Sequence, residues 1–321
     1  MENGERECCR IACVGNICLD IVNYVSHYPE EDADMNCEDQ VWAVGGNAAN
    51  NCQILGQISS TPPALFGAVA RDHSFPFITQ RLQSMGANTD NIVVRENCSM
   101  VTTTAIISNK TGSRTMFAFR HGLKDMLLEE FKNCFLKPGN DLSDYQWIHF
   151  EGRNVAEVKK MIAFVVQERQ KRSLSLKISV ELEKNRRDIL SLIPGTDVVF
   201  VSKDFAMEHN LTNMKHAVST ILYWEGMGPN TMLICPWGEQ GAAGGSRQNP
   251  SEIIVVPAFP PEKVIDTLGA GDTFMAGCIF ALSRNHSLEK SIQFGCKVAG
   301  AKVGVRGYNI DSYKHVLSEL P

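Results

Sequence analysis

Two glycines around one alanine, with an acid following at once, single out the run Asp266-Thr267-Leu268-Gly269-Ala270-Gly271-Asp272-Thr273-Phe274 as the part of this chain best suited to chemistry on an anion. Glycines let the backbone turn tightly, and a helix that starts on such a turn leaves its first N–H groups without internal partners. Those amides, with the positive end of the helix dipole behind them, make a socket for a phosphate. The spacing of Phe274, Gly277, Cys278 and Ala281 predicts a helix that begins near Gly271 with a small, apolar face. Asp272 then stands where a carboxylate can take a proton from whatever attacks that phosphate. The plainer reading makes Asp272 a helix N-cap after a glycine turn. A second group lies near the N-terminus. Asp20 follows the first apolar run, Asp32 falls in an acidic irregular segment, and Asn47 and Asn50 open a small-residue helix after Gly45-Gly46. Carboxylates and amides together accept and donate hydrogen bonds, as a neutral polyol requires.

Short apolar runs alternate with longer amphipathic ones, a rhythm that predicts a mostly parallel sheet with helices on both faces. Ile11 to Gly15, Ile148 to Phe150, Ile178 to Leu182, Val198 to Val201, Met232 to Cys235 and Ile253 to Val256 read as strands. Helices are expected from Ala48 to Leu55, Ser74 to Gly86, Val155 through Val165, Asp188 to Leu192, near Phe205, Leu288 to Val303 and Ser312 to Leu320. Gly238 to Ser251 reads as a loop or hairpin. Two stretches break the alternation: Ile17 to Val44, and a hairpin of Val101 to Ile107 with Arg114 to Phe119. Their simplest use is to pair as a small sheet beside the main one, where a lid would lie over the strand ends that bind ligands in open α/β sheets. The expected division is a core of residues 1–16, 45–99 and 121–321 and a β lid of residues 17–44 and 100–120.

The chain has 321 residues, 44% hydrophobic and 21% charged, with a net charge of −5 and no basic stripe. That composition is globular and disfavours a nucleic-acid or anionic-membrane partner. The N-terminal apolar run is cut by Asn16 and Asp20, so neither a signal peptide nor a membrane span is expected, and the sequons at Asn97, Asn109, Asn210 and Asn285 read as chance matches. The eleven cysteines are scattered without a C-x-x-C pair, which predicts reduced core residues rather than a metal knuckle or disulfide framework. A cytoplasmic protein is the expectation.

The segments Gly45-Gly46-Asn47-Ala48-Ala49-Asn50 and Asp266 to Phe274 together resemble the two signatures of the ribokinase/PfkB carbohydrate kinases. The likeness extends to Trp147 to Asn154, Val198 to Asp204 and Phe294 to Gly300, and runs from Cys13 to about Gly307. It is nearest the fructokinases of that family. The resemblance implies a ribokinase-like fold, doubly wound around a mostly parallel sheet with a small β lid. It implies ATP-dependent phosphorylation of the C1 hydroxyl of a ketohexose such as fructose, with Mg²⁺ and a monovalent cation such as K⁺, and a homodimer clasped through the lid strands. Asp272 would be the base, with Gly269, Ala270 and Gly271 holding the transferring phosphate. Asp20, Asp32, Gly46, Asn47 and Asn50 would bind sugar. Arg114, Thr267, Gly238, Gly241, Pro260, Phe274, Cys296, Ala299 and Val303 would surround the nucleotide; Phe274, Ala299 and Val303 read equally well as core.

One departure stands out. Many relatives carry N-x-x-E where this chain has Ser202-Lys203-Asp204-Phe205, so Mg²⁺ is expected to ride on the ATP phosphates and water. Glu181 and Glu183 are outer-sphere candidates, or simply a solvated strand end. Asp266 and Thr267 would lie beside a monovalent cation. Rival readings are a nucleoside kinase, for which no aromatic cluster beyond Trp42 appears near Asn47 and Asn50, and a non-catalytic sugar sensor, which has no use for Asp272. A dinucleotide oxidoreductase lacks its fingerprint: Gly15-Asn16-Ile17 follows the first strand instead of G-x-G-x-x-G.

Overall fold

A computed structural model of the chain describes residues 10–309, apart from residue 112. In chain order its strands are β1 (Arg10–Val14), β2 (Cys18–Val25), β3 (Asp39–Gly45), β4 (Ala64–Ala70), β5 (Ile92–Arg95), β6 (Ser99–Ser108) and β7 (Arg114–His121). There follow β8 (Tyr145–Glu151), β9 (Lys177–Leu182), β10 (Val198–Val201), β11 (Met232–Pro236), β12 (Ala242–Ser246) and β13 (Asn249–Val256). The helices are α1 (Asn47–Ile58), α2 (Phe75–Ser84), α3 (Leu128–Cys134), α4 (Val155–Arg172), α5 (Lys203–Glu208), α6 (Met214–Ile221), α7 (Ala270–Ser283) and α8 (Leu288–Val303).

The apolar runs that lack a polar face become the interior of one nine-stranded sheet, ordered β13-β12-β11-β10-β9-β8-β1-β4-β5. It is parallel from β11 through β5, and β12 and β13 add an antiparallel edge. Strands covered on both faces need side chains apolar in both directions, and β4 and β10 are buried at every residue. One face is packed by α1, α2, α7 and α8, the other by α3, α4, α5 and α6. The small face foreseen on α7 exists to let α8 approach: a β-carbon at Gly277 would come within 2.9 Å of Gly295 Cα.

The two segments that break the alternation meet in a separate sheet, ordered β3-β2-β6-β7. β2 and β6 run parallel, from Leu19 opposite Thr102 to Val25 opposite Ser108, although most of a hundred residues separate them in the chain. β6 and β7 form the hairpin, with Ile107 opposite Arg114. The helix expected around Asp188 to Leu192 is only a short 3₁₀ segment, Ile189–Leu192, and it cannot lengthen because Pro194 and Gly195 follow at once. The helix expected from Ser312 to Leu320 lies outside the described residues.

Candidate active site

Gly269, with φ 71°, is the N-cap of α7, and no side chain caps that end. The turn is held from behind, because the N–H and the hydroxyl of Thr273 both donate to the Gly269 carbonyl, at 2.9 and 2.8 Å. The front is clear. Gly271 is exposed, and a β-carbon there would meet nothing within 4 Å. The Ala270 N–H reaches back to the Thr267 carbonyl at 3.3 Å, and the next first-turn amides, of Gly271 and Asp272, have no helical acceptor, as an anion site needs.

Asp272 does not cap the helix. Its side chain is buried and accepts a hydrogen bond from Asn50 Nδ2 at 2.7 Å. One helical turn earlier on α1, Asn47 Nδ2 donates to Glu181 Oε2 at 2.9 Å. Each amide thus gives one N–H to a carboxylate and keeps a second. Asn50 Oδ1 is buried and has no partner. Nor is Asn47 a cap, for Gly46, with φ 97°, occupies that position. Asp20, on β2, is buried close against Gly45, where a β-carbon would collide with its carboxylate, and it accepts a weak bond from the Cys18 thiol at 3.3 Å.

Burial without a cation raises the proton affinity of these acids. Burial pushes Asp272 up to about 8; the Asn50 hydrogen bond pulls the other way, and Glu151, Glu183 and Asp20 push further up. Burial likewise raises Asp20, and raises Glu181 well above its ordinary range, with the charge of Asp272 next in importance. Glu181 is therefore no solvated strand end; it is buried at the carboxyl end of β9.

The structure gathers Asp20, Asn47, Asn50, Asp272 and the Gly269–Ala270–Gly271 turn in one place. Arg114, exposed on β7, reaches over to Thr267, with Nη1 to Oγ1 at 3.2 Å. Asp32 is not brought in: it is exposed in the irregular segment between β2 and β3, with φ 64°. Phe274 and Cys296 are buried in the packing of α7 and α8. Ala299 and Val303 are half-buried on α8, while Gly238, Gly241 and Pro260 lie on the connections that follow β11 and β13.

Residue types alone did not point to three further groups. Glu151 is buried at the end of β8, where Oε2 takes the Asn16 amide at 2.7 Å and Oε1 takes Arg153 Nε at 2.7 Å. Lys302, fully buried near the end of α8, donates to the Asp266 carbonyl and to its Oδ2, each at 2.9 Å. Tyr308 is buried with its ring beneath Gly269. A lysine ending an apolar helix was visible as an oddity; nothing in the spacing tied Glu151 or Tyr308 to the turn.

Among the described residues no group of three or more His, Cys, Asp or Glu side chains could hold a metal ion. Glu181 and Glu183 both lie within electrostatic reach of Asp272, with Glu151 ahead of Glu183 in its effect on that group. Asp266 does not fit a monovalent cation, since the Lys302 ammonium already neutralises its carboxylate and takes its carbonyl.

A profile of the pfkB family carbohydrate kinases matches residues 10–314. Mouse ketohexokinase is 35% identical over 94% of this chain and 98% of its own. A nucleoside kinase from Thermoplasma acidophilum is 25% identical over 90% of this chain and 88% of its own. Among solved structures, a ribokinase from Giardia lamblia superposes with a TM-score of 0.81 at 17% identity, covering 98% of this chain and 100% of that one; the low identity makes this a statement of fold.

Proposed function

The chain belongs to the pfkB carbohydrate kinase family and is an ATP-dependent sugar kinase, and from this premise we propose that its acceptor is the C1 hydroxyl of a ketohexose, D-fructose first. The observation that carries the reading is the Asn50–Asp272 hydrogen bond at 2.7 Å, which fastens the sugar side of the site to the phosphate side. With Asp20 and Asn50 Oδ1 as acceptors and a second N–H left on each of the Asn47 and Asn50 amides, the site suits hydroxyl groups, which both donate and accept. A ligand rich in hydroxyl donors satisfies it; a flat, apolar base does not. The mouse relative acts, by its name, on ketohexoses.

In the proposed reaction the ATP tail ends on the amides of Gly269 to Asp272, with Arg114 reaching the phosphates from β7. Asp272 takes the proton of the sugar hydroxyl as its oxygen attacks the terminal phosphorus in line, and ADP leaves. Mg²⁺, bound to the phosphates, neutralises charge there. Thr267, Gly238, Gly241, Pro260, Ala299 and Val303 line the nucleotide's approach in this reading, and Phe274 and Cys296 support it from the core. The β3-β2-β6-β7 sheet closes over the sugar to keep water from the phosphate.

The outer strand β7 exposes Met116, Phe117 and Phe119 at 46, 55 and 57%, an apolar edge that a second copy of the same sheet would cover, hence a homodimer. No helix among the described residues is long and apolar enough to cross a membrane.

Release of ADP measured with fructose, ribose, adenosine and no acceptor separates the readings. The expected result is turnover with fructose well above the other three. Preference for adenosine would replace the sugar reading with a nucleoside kinase, and equal release with and without acceptor would remove both.

A further inference from the structure

The phenol of Tyr308 has no role in the reading above. The residue lies past the end of α8, and its ring enters the core beside α1 and α7, while its backbone carbonyl accepts Gln57 Nε2 of α1 at 2.7 Å. The ring is gripped from behind by Lys302, whose Nζ stands 5.3 Å from its centroid. In front, the phenol oxygen touches Gly269 so closely that a β-carbon at that residue would collide with it. This oxygen is shut off from solvent and has no hydrogen-bond partner.

A buried hydroxyl without a partner is costly, typically about 1–3 kcal/mol, and native proteins rarely keep one unless a water or ligand completes it. Its surroundings decide which. The acids that raise its proton affinity, after burial itself, are Asp272, Asp20 and Asp266, in that order. The phenol is a donor, and these acids supply oxygens that can accept from it. No direct hydrogen bond joins it to Asp272, and a second orphan, Asn50 Oδ1, belongs to the side chain that holds Asp272. A single enclosed water has here the polar partners it needs.

We propose that Tyr308 is a positioning residue for the base: through one enclosed water its hydroxyl donates towards the Asp272 carboxylate, fixing the rotamer that Asn50 alone holds from the other side. The assignment rests on Asp272 being the base. Its physical content is that Asp272, ringed by Asp20 on β2, Glu151 on β8, and Glu181 and Glu183 at the end of β9, has few groups to favour its ionised form: the Asn50 amide, the N-terminal end of α7, the Lys302 ammonium and, in this proposal, the Tyr308 hydroxyl.

Tyr308→Phe removes the hydroxyl and keeps the ring beneath Gly269. Loss of a donor to the charged form raises the pKa of the base, so the acid limb of the kcat profile should move up by roughly one pH unit, lowering kcat about tenfold at neutral pH. KM for ATP should stay as in the wild type. In an Asp272→Asn background, Tyr308→Phe should change the residual rate no further, since its only target is gone. A kcat profile that superposes on the wild type, together with a higher Tm, would mean a merely buried orphan and overturn the proposal. So would a full additional loss in the Asp272→Asn background. If Asp272→Asn alone keeps its turnover, the base assignment has failed, and that result is read before the tyrosine is changed.

Discussion

Two ion pairs show how differently this molecule treats its phosphate turn and its outlying sheet. Behind the turn, Lys302 and Asp266 meet at 2.9 Å with side chains 0% and 6% exposed. Between the small sheet and the end of α8, Asp39 and Arg306 meet at 3.1 Å with 48% and 54% of their side chains exposed. The distances are nearly equal; the dielectric is not. A buried pair is rigid because neither partner tolerates losing the other, whereas an exposed pair exchanges freely with water. In the proposed reaction the turn must hold a base and a row of amides in one arrangement. The base of the sheet packs into the core through Leu19, Val44, Met100 and Val101, but its outer part meets the core in polar contacts, Arg114 to Thr267, Arg120 to Asn16 and Arg306 to Asp39, which are the ones that would have to part in the proposed opening to sugar.

The sharpest challenge to this contrast is Asp272→Asn. It keeps shape and the neighbouring Asn50 but removes the proton acceptor, and kcat should fall by about 10³-fold, within the span of general-base catalysis. The same change should make the protein harder to melt at alkaline pH. The folded carboxyl titrates near 8 against an ordinary 3.8, so its stabilising protonated form is fully present below the unfolded value and lost as pH rises through about 8. Asparagine mimics the protonated state at every pH. Melting curves from pH 5 to 9 should show the variant's advantage growing with pH; a constant offset would mean that Asp272 carries no such penalty.

Next in size comes Lys302→Met. It leaves the Asp266 carboxylate buried with only backbone donors, the N–H groups of Leu268 and Gly307, and should cost about 3 kcal/mol or more in urea unfolding. A loss below about 1 kcal/mol would put this pair in the same class as the exposed one and erase the distinction drawn above.

The same contrast explains what was legible in the sequence. The main sheet is readable because fully buried strands such as Val198–Val201 carry apolar residues at every position. The small sheet is readable because its two segments break a regular rhythm. The turn announces itself because its job requires glycine. What the pattern leaves open are residues whose role depends on a partner far away in the chain. Glu181 at a strand end looks solvated until α1 lays Asn47 against it, 134 residues distant. Tyr308 looks like one more aromatic until Gly269 is seen beneath its hydroxyl. Asp32 is the converse case, exposed between β2 and β3, since an acid in an acidic loop has no pattern to distinguish a ligand from a solvated neighbour.

The smallest effect is expected at Arg306→Ala, and it bears on the lid rather than the fold. Arg306 bonds Asp39 of β3 and stacks over Tyr24 of β2, with Cζ 4.5 Å from the ring centroid, so it touches two strands of the small sheet at once. Half-exposed pairs contribute at most about 1 kcal/mol, and salt screens them over about 10 Å at 0.1 M. Unfolding should therefore be almost unchanged. If the contact instead holds the sheet against the core during turnover, the variant's KM for sugar should rise a few-fold at low salt, and the wild type should approach the variant as salt is raised. Equal salt dependence in both proteins would show that Arg306 plays no part in closure, and would leave Arg114 and Arg120 as the contacts that join the two regions.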